Sequence, residues 1–148
     1  MIRTETEYKE AKARLAKERE RLDLHRARLK ETGLRKEEIK RVLDPMESFH
    51  LQLKEEVENY ARLKRGIFPE LDNFLGFGSL LIALRIAKKI TQRELAKRLG
   101  VHETQVSRDE RNEYFGITLE RAVKILNALG VRLHTKVEPG TPRQTVSA

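Results

Sequence analysis

The sequence predicts an all-α protein: a long N-terminal helical hairpin or coiled coil, then a compact C-terminal unit of four to five short helices. Three observations point there. Residues 1–65 are dominated by Glu, Lys, Arg, Leu and Ala, which lose least on entering a helix, and lack the Gly and Pro punctuation of a sheet protein. Apolar residues recur at spacings of three, four and seven along that stretch. From Gly78 to Val131 the pattern shortens into brief apolar periods separated by capping residues and glycines. The hydrophobic fraction of 39% against a charged fraction of 36% suits helices with long solvated faces better than one large core. The expected organisation is an extension over residues 1–66, a connector over 67–77, a compact domain over 78–134, and a short strand or flexible tail over 135–148.

The first helix should start at Thr4, which forms a capping box with Glu7, and end at Gly33. Tyr8, Leu15, Leu22 and Leu29 recur every seven residues, with Ala11, Glu18 and His25 at the intervening offset. Such a narrow seam needs a partner helix. A second helical stretch begins near Arg35. Asp44 and Pro45 read either as a fresh start, with Asp as N-cap and Pro at the first position, or as a kink, with the fresh start favoured. Met46, Phe49, Leu53, Val57, Tyr60 and Leu63 then form a stripe suited to zip antiparallel against the first helix. Gly66 and Pro69 bracket a break, and Pro69 to Gly78 reads as a connector packed on the next unit.

In the compact unit, Leu80, Leu81, Leu84 and Ala87 supply the inner face of one helix. Thr91 caps a second, with Leu95, Ala96 and Leu99 on one side and Gly100 closing it. A third runs from about Glu103 to Arg111. A fourth starts at Thr118, buries Leu119, Ala122, Val123, Leu126 and Leu129, and ends at Gly130. Val131, Leu133, Thr135 and Val137 alternate with polar residues at a strand period, which reads equally as an edge strand or a loosely ordered tail. Pro139 to Ala148 is expected to be disordered.

The formal net charge is +8, and an excess of cations attracts polyanions over long range, so nucleic acid is the first partner to consider. There is no cysteine, which excludes disulfides and thiolate chemistry. The charged opening residues and the lack of any long apolar run predict neither secretion nor membrane association, hence a cytoplasmic protein. His25, His50, His102 and His134 are scattered without an acid-base cluster or a Gly-rich phosphate loop, so neither enzyme activity, a metal nor a cofactor is expected. His102 falls in a turn where a phosphate contact is conceivable.

Two short helices that cross closely need small or left-handed residues at fixed offsets. Leu95 and Leu99 point inward, Ala96 is small where the next helix approaches, Gly100 can take a positive φ, and Val101 and Val106 anchor the turn and the following helix. These positions, with Leu84-Arg85, Thr91-Gln92-Arg93-Glu94-Leu95-Ala96, Gly100-Val101 and Val106-Ser107-Arg108-Asp109-Glu110, resemble the Xre/Cro family of lambda-repressor-like helix-turn-helix regulators over roughly Gly78 to Val131. The resemblance implies sequence-specific binding to a double-stranded DNA operator.

With Val106 inward, steps of about 100° per residue put Thr104, Arg108 and Arg111 on the opposite face, flanked by Ser107 and Gln105. The resemblance independently implies base reading by Glu103, Thr104 and Arg108. Arg108 suits guanine, Glu103 can accept from cytosine N4, and Thr104 can touch a thymine methyl; Glu103 reads equally as a carboxylate favoured by the helix start. The resemblance also places Gln92 at a phosphate, with Ser107, Arg111 and Asn112 as further phosphate candidates, Arg111 having the alternative of a plain surface charge. Tyr114 can reach the backbone or cap the core. Glu110 falls inward and needs a cation, which the family pattern supplies at Arg85, as a structural ion pair. Two departures from that pattern stand out: Asp109 where an apolar residue is usual, and Asn112 where Gly is usual, Asn being tolerant of the left-handed conformation.

The extension carries 18 basic and 14 acidic residues over 1–66, so it is not a dedicated polyanion-binding tail. Homodimerisation is its economical role, because repressors of this type read two half-sites one helical turn apart. The order of parts, with Glu7-Tyr8 and Ala11 ahead of the helices, also resembles HigA-type antitoxins, which implies a toxin protein as partner and autoregulation of the operon. A helical scaffold that does not bind DNA is the remaining alternative.

Overall fold

A computed structural model describes residues 1–140 and is all-helical among them. The helices are α1 (Glu5–Glu31), α2 (Lys36–Lys64), α3 (Phe77–Ala87), α4 (Gln92–Leu99), α5 (Glu103–Arg111) and α6 (Leu119–Leu129). The expected disorder of Pro139 to Ala148 lies, from residue 141 on, outside the described residues.

The capping box forms at the start of α1. The Thr4 hydroxyl accepts from the Glu7 amide at 3.2 Å, and the Glu7 carboxylate accepts from the amides of Thr4 at 3.3 Å and Arg3 at 2.8 Å. The helix stops just before Gly33, whose φ of +75° reverses the chain toward α2. α1 and α2 are antiparallel. At one end Tyr8 stacks on Tyr60 with centroids 4.7 Å apart, and near the other Arg26 pairs with Glu47.

The fresh start expected at Asp44 and Pro45 does not occur, because α2 continues through Pro45. Proline removes one helical hydrogen bond, the one its amide would give to the Arg41 carbonyl. Continuity keeps Ile39, Leu43 and Met46 on one face, where Leu43 is 1% exposed and packs with Leu22 and Ile39. Arg41 itself is exposed, so water can satisfy its carbonyl. Of the expected α2 stripe, Val57, Tyr60 and Leu63 are buried and Met46 and Leu53 half-buried. Phe49 is largely exposed, with the Arg14 guanidinium 4.9 Å over its ring.

α3 is the hub of the fold. Every residue from Leu80 to Ile86 is buried, because α2 covers one side and the short helices cover the other, so an apolar surface all round is what its position demands. One continuous core joins Ile2, Val57, Tyr60 and Leu63 of the extension to Leu81, Ile82, Leu95, Val106, Ile125 and Leu129.

Two expectations for the C-terminal part need correction. On α6 the buried stripe is Ala122, Ile125 and Leu129, while Leu119 and Val123 are 72% and 50% exposed. These two sit one turn apart on the adjacent face, so the apolar periodicity there is wider than the surface the core covers. The alternation after Gly130 makes no strand: Val131 packs against the core and the chain to residue 140 is irregular. A lone strand has no ladder partner to satisfy its backbone groups.

Candidate nucleic-acid interface

Thr91 caps α4 by accepting from the Glu94 amide at 3.1 Å. Gly100 ends the helix with a φ of +67°, and the Val101 amide reaches back to the Ala96 carbonyl at 3.0 Å. His102 is the N-cap of α5: its Nδ1 accepts from the Thr104 amide at 3.3 Å and lies 2.9 Å from the Thr104 hydroxyl. The turn between α4 and α5 is thus three residues long. It can be that short because Ala96, 3% exposed, lets the two helices approach closely.

Val106 and Glu110, at 1% and 0% exposure, define the inward side of α5. Glu103, Thr104, Gln105, Arg108 and Arg111 are all exposed, and Ser107 is half-buried at the flank.

Under this surface lies a buried polar network. Arg85 pairs with Glu110 through Nε to Oε1 and through Nη2 to Oε2, the latter at 2.8 Å. Arg85 Nη1 also donates to the Ile90 carbonyl at 2.8 Å and Nη2 to the Arg3 carbonyl at 2.9 Å, while Gln92 Nε2 donates to Glu110 Oε2 at 2.7 Å. The side-chain burial of the pair is nearly total, 4% and 0% exposed, so its charges persist only because each has several partners. This network ties the start of α4 and the C-terminal end of α5 to α3 and to the N-terminal segment.

Residues 81–135 match the helix-turn-helix family model. This segment is an Xre/Cro-like helix-turn-helix domain. It makes the protein a DNA-binding regulator, and its partner is double-stranded DNA. The domain is a regulatory one, not a catalytic one. No curated protein and no solved structure matches the chain. Among the described residues no helix is long and apolar enough to cross a membrane, and no cluster of His, Asp and Glu could hold a metal ion.

Within the helix-turn-helix domain, the two departures from the family pattern have physical accounts. Asp109 pairs with Arg121 of α6, so a polar link replaces the usual apolar contact. Gln105, with its amide oxygen turned toward that guanidinium, accepts at 3.0 Å. Asn112 does not take the left-handed conformation: its φ is −89°, and the positive φ values fall on Glu113 and Tyr114, at +51° and +52°. The turn is displaced because it lies over Gly78. A Cβ there would meet the Glu113 carbonyl oxygen at 1.7 Å, so this glycine is required for close approach of two backbones.

Two phosphate candidates make contacts within the molecule. Tyr114 is 6% exposed within the core cluster, the core-capping alternative, because its left-handed backbone turns the ring inward. Its hydroxyl pKa is raised, by burial first and then by the charge of Glu110. The Gln92 side-chain amide nitrogen gives one of its two hydrogens to Glu110.

The reading of the sequence missed Arg3, whose carbonyl closes the Arg85 network, and Ile2, 7% exposed in the core. Neither belongs to a periodic stripe, so no local pattern marks them. It also missed Glu5, which accepts from Lys64 at 2.9 Å and from the Tyr60 hydroxyl at 3.2 Å. Lys64's hydrogen bond holds the Glu5 carboxyl below its ordinary range. Burial, followed by the neighbouring Glu5 charge, pushes Tyr60 up to about 12.

Proposed function

We propose that this protein is a cytoplasmic, sequence-specific repressor that reads the major groove of its operator with α5, as a dimer. The observation that carries the reading is the outward face of α5. Arg108 projects there without an ion-pair partner among the described residues, beside Thr104 and Glu103, while Val106 and Glu110 lock the opposite face. A bidentate arginine suits guanine, Thr104 a thymine methyl and Glu103 a cytosine amine. Ser107, Arg111, Asn112 and the first turn of α4 serve the backbone phosphates. The dimer is supported by the hairpin of α1 and α2, which leaves Leu24, Val42, Phe49 and Leu51 between 44% and 61% exposed, more apolar surface than two helices can cover alone.

Selection of bound duplexes from a random pool, followed by titration, tests this. A palindromic site is expected, and Arg108→Ala should cost about 1–3 kcal/mol on that site and relax the preference at one base pair. Absence of duplex binding near physiological salt refutes DNA reading; sedimentation as a monomer at micromolar concentration refutes the dimer.

A further inference from the structure

A cleft of about 420 Å³ opens where the extension meets the helix-turn-helix domain, lined among others by Arg3, Lys64, Lys89, Thr91, Gln92 and Glu103. It therefore runs from the first residues of the chain to the starts of both α4 and α5. Its charges are unevenly compensated. Lys64 is neutralised by Glu5 and Arg85 by Glu110. Arg3 and Lys89 have no ion-pair partner among the described residues, against a single unpaired carboxylate in the lining, Glu103.

The backbone explains why these two cations are presented. The Arg3 carbonyl, the Arg85 guanidinium, the Glu110 carboxylate and the Gln92 amide are consecutive links of one hydrogen-bonded chain, which seats Arg3 beside the start of α4. Lys89 holds a left-handed φ of +57° between the end of α3 and the buried Ile90, and is itself exposed.

We propose that the N-terminal segment extends the DNA interface beyond the helix-turn-helix domain, with Arg3 and Lys89 together holding a backbone phosphate that flanks the one at the start of α4. The inference rests on the reading in which α5 enters the major groove. It assigns the opening residues a direct contact with the operator backbone, outside the family-matched segment.

The two side chains can be removed without loss of the fold. Arg3→Ala keeps the carbonyl that holds Arg85, and Lys89→Asn keeps a residue that tolerates positive φ. Affinity of the full chain is measured for its selected duplex and for a scrambled one between roughly 50 and 200 mM salt. Wild type, the double variant, Arg108→Ala, and Lys36→Ala at the far tip of the hairpin are compared. Each lost phosphate contact lowers the slope of log affinity against log salt by about 0.9. The double variant is expected to lose about 0.9 from the slope, the share of one phosphate, to weaken on both duplexes equally, and to keep its discrimination, whereas Lys36→Ala keeps the wild-type slope. A double-variant slope equal to that of Lys36→Ala overturns the proposal, as does a loss confined to the selected duplex. Competition by millimolar inorganic phosphate that vanishes in the double variant, without any change in its salt slope, assigns the cleft to a free anion and overturns it too. Wild type without discrimination, unaffected by Arg108→Ala, refutes the reading itself and the inference with it.

Discussion

Glu110→Ala should be among the most damaging single substitutions in this protein. The carboxylate is fully buried and accepts from both Arg85 and Gln92. Without it, Arg85 remains buried with only the carbonyls of Ile90 and Arg3, at 2.8 and 2.9 Å, which solvate the cation but do not neutralise it. Breaking a buried pair by removing one partner costs about 3–5 kcal/mol, a large share of the ~5–15 kcal/mol that holds a typical domain folded. With a urea m-value of about 2 kcal/mol/M, the midpoint should fall by roughly 1.5–2.5 M. Equilibrium urea unfolding followed by helical circular dichroism measures it. The pair Arg85→Met with Glu110→Leu should recover most of the loss, because apolar replacement of a buried ion pair is often neutral. Recovery stays incomplete, since the Ile90 and Arg3 carbonyls and the Gln92 amide lose a partner. A loss below about 1 kcal/mol for Glu110→Ala would refute the account of the network.

Gly78→Ala should destabilise by about 1–3 kcal/mol through overpacking against the Glu113 carbonyl; an unchanged melting temperature would show that the turn can move aside. Pro45→Ala restores a helical amide at an exposed position of α2 and should gain on the order of 1–3 kcal/mol, so a urea midpoint at or below wild type contradicts it. Stability should also fall at both pH extremes. Tyr60 is raised from 10.0 to about 12, so its contribution is full below pH 10 and drains away as pH climbs toward 12. Glu5 is lowered from 4.5, so its contribution is present above that pH and is lost as pH drops through the depressed value. Tyr60→Phe should flatten the alkaline arm, and a variant with the wild-type alkaline profile would sink this assignment.

What was legible in the sequence was what short-range rules specify. Thr4 with Glu7, Thr91, Thr118, Gly100 and Gly130 mark helix ends by chemistry that acts within one turn, and the structure uses each of them there. With Val106 set inward, the inward placement of Glu110 followed from period; a buried carboxylate needs a cation, and the family resemblance named Arg85 as that partner. What was not legible depends on long-range geometry. Whether Pro45 breaks a helix is decided by Leu22 and Ile39 holding Leu43, and which residues of α6 are buried is decided by how far the core reaches, not by their apolarity. The left-handed pair at Glu113 and Tyr114 answers to Gly78, thirty-five residues upstream of Glu113, and local propensity at Asn112 cannot report that.

The side chains of α5 divide into those already bound within the molecule and those that are not, and the division bears on which of them can read DNA. Glu110 is tied to α3 and α4, Asp109 to α6, and Gln105, although exposed, turns toward Arg121. The Thr104 hydroxyl lies 2.9 Å from His102 Nδ1, so a hydrogen bond from it to a base comes at the expense of a contact that helps cap the helix, whereas its methyl is free to meet a thymine. Arg108 gives up no ion pair when it engages a base. Because a hydrogen bond gained by surrendering another adds little net free energy, discrimination should concentrate on the base pair under Arg108, with Thr104 contributing chiefly through shape. The same commitments hold α5 rigid from two sides, so the arginine is presented by a helix that need not reorder on binding, which lowers the entropic cost of the contact.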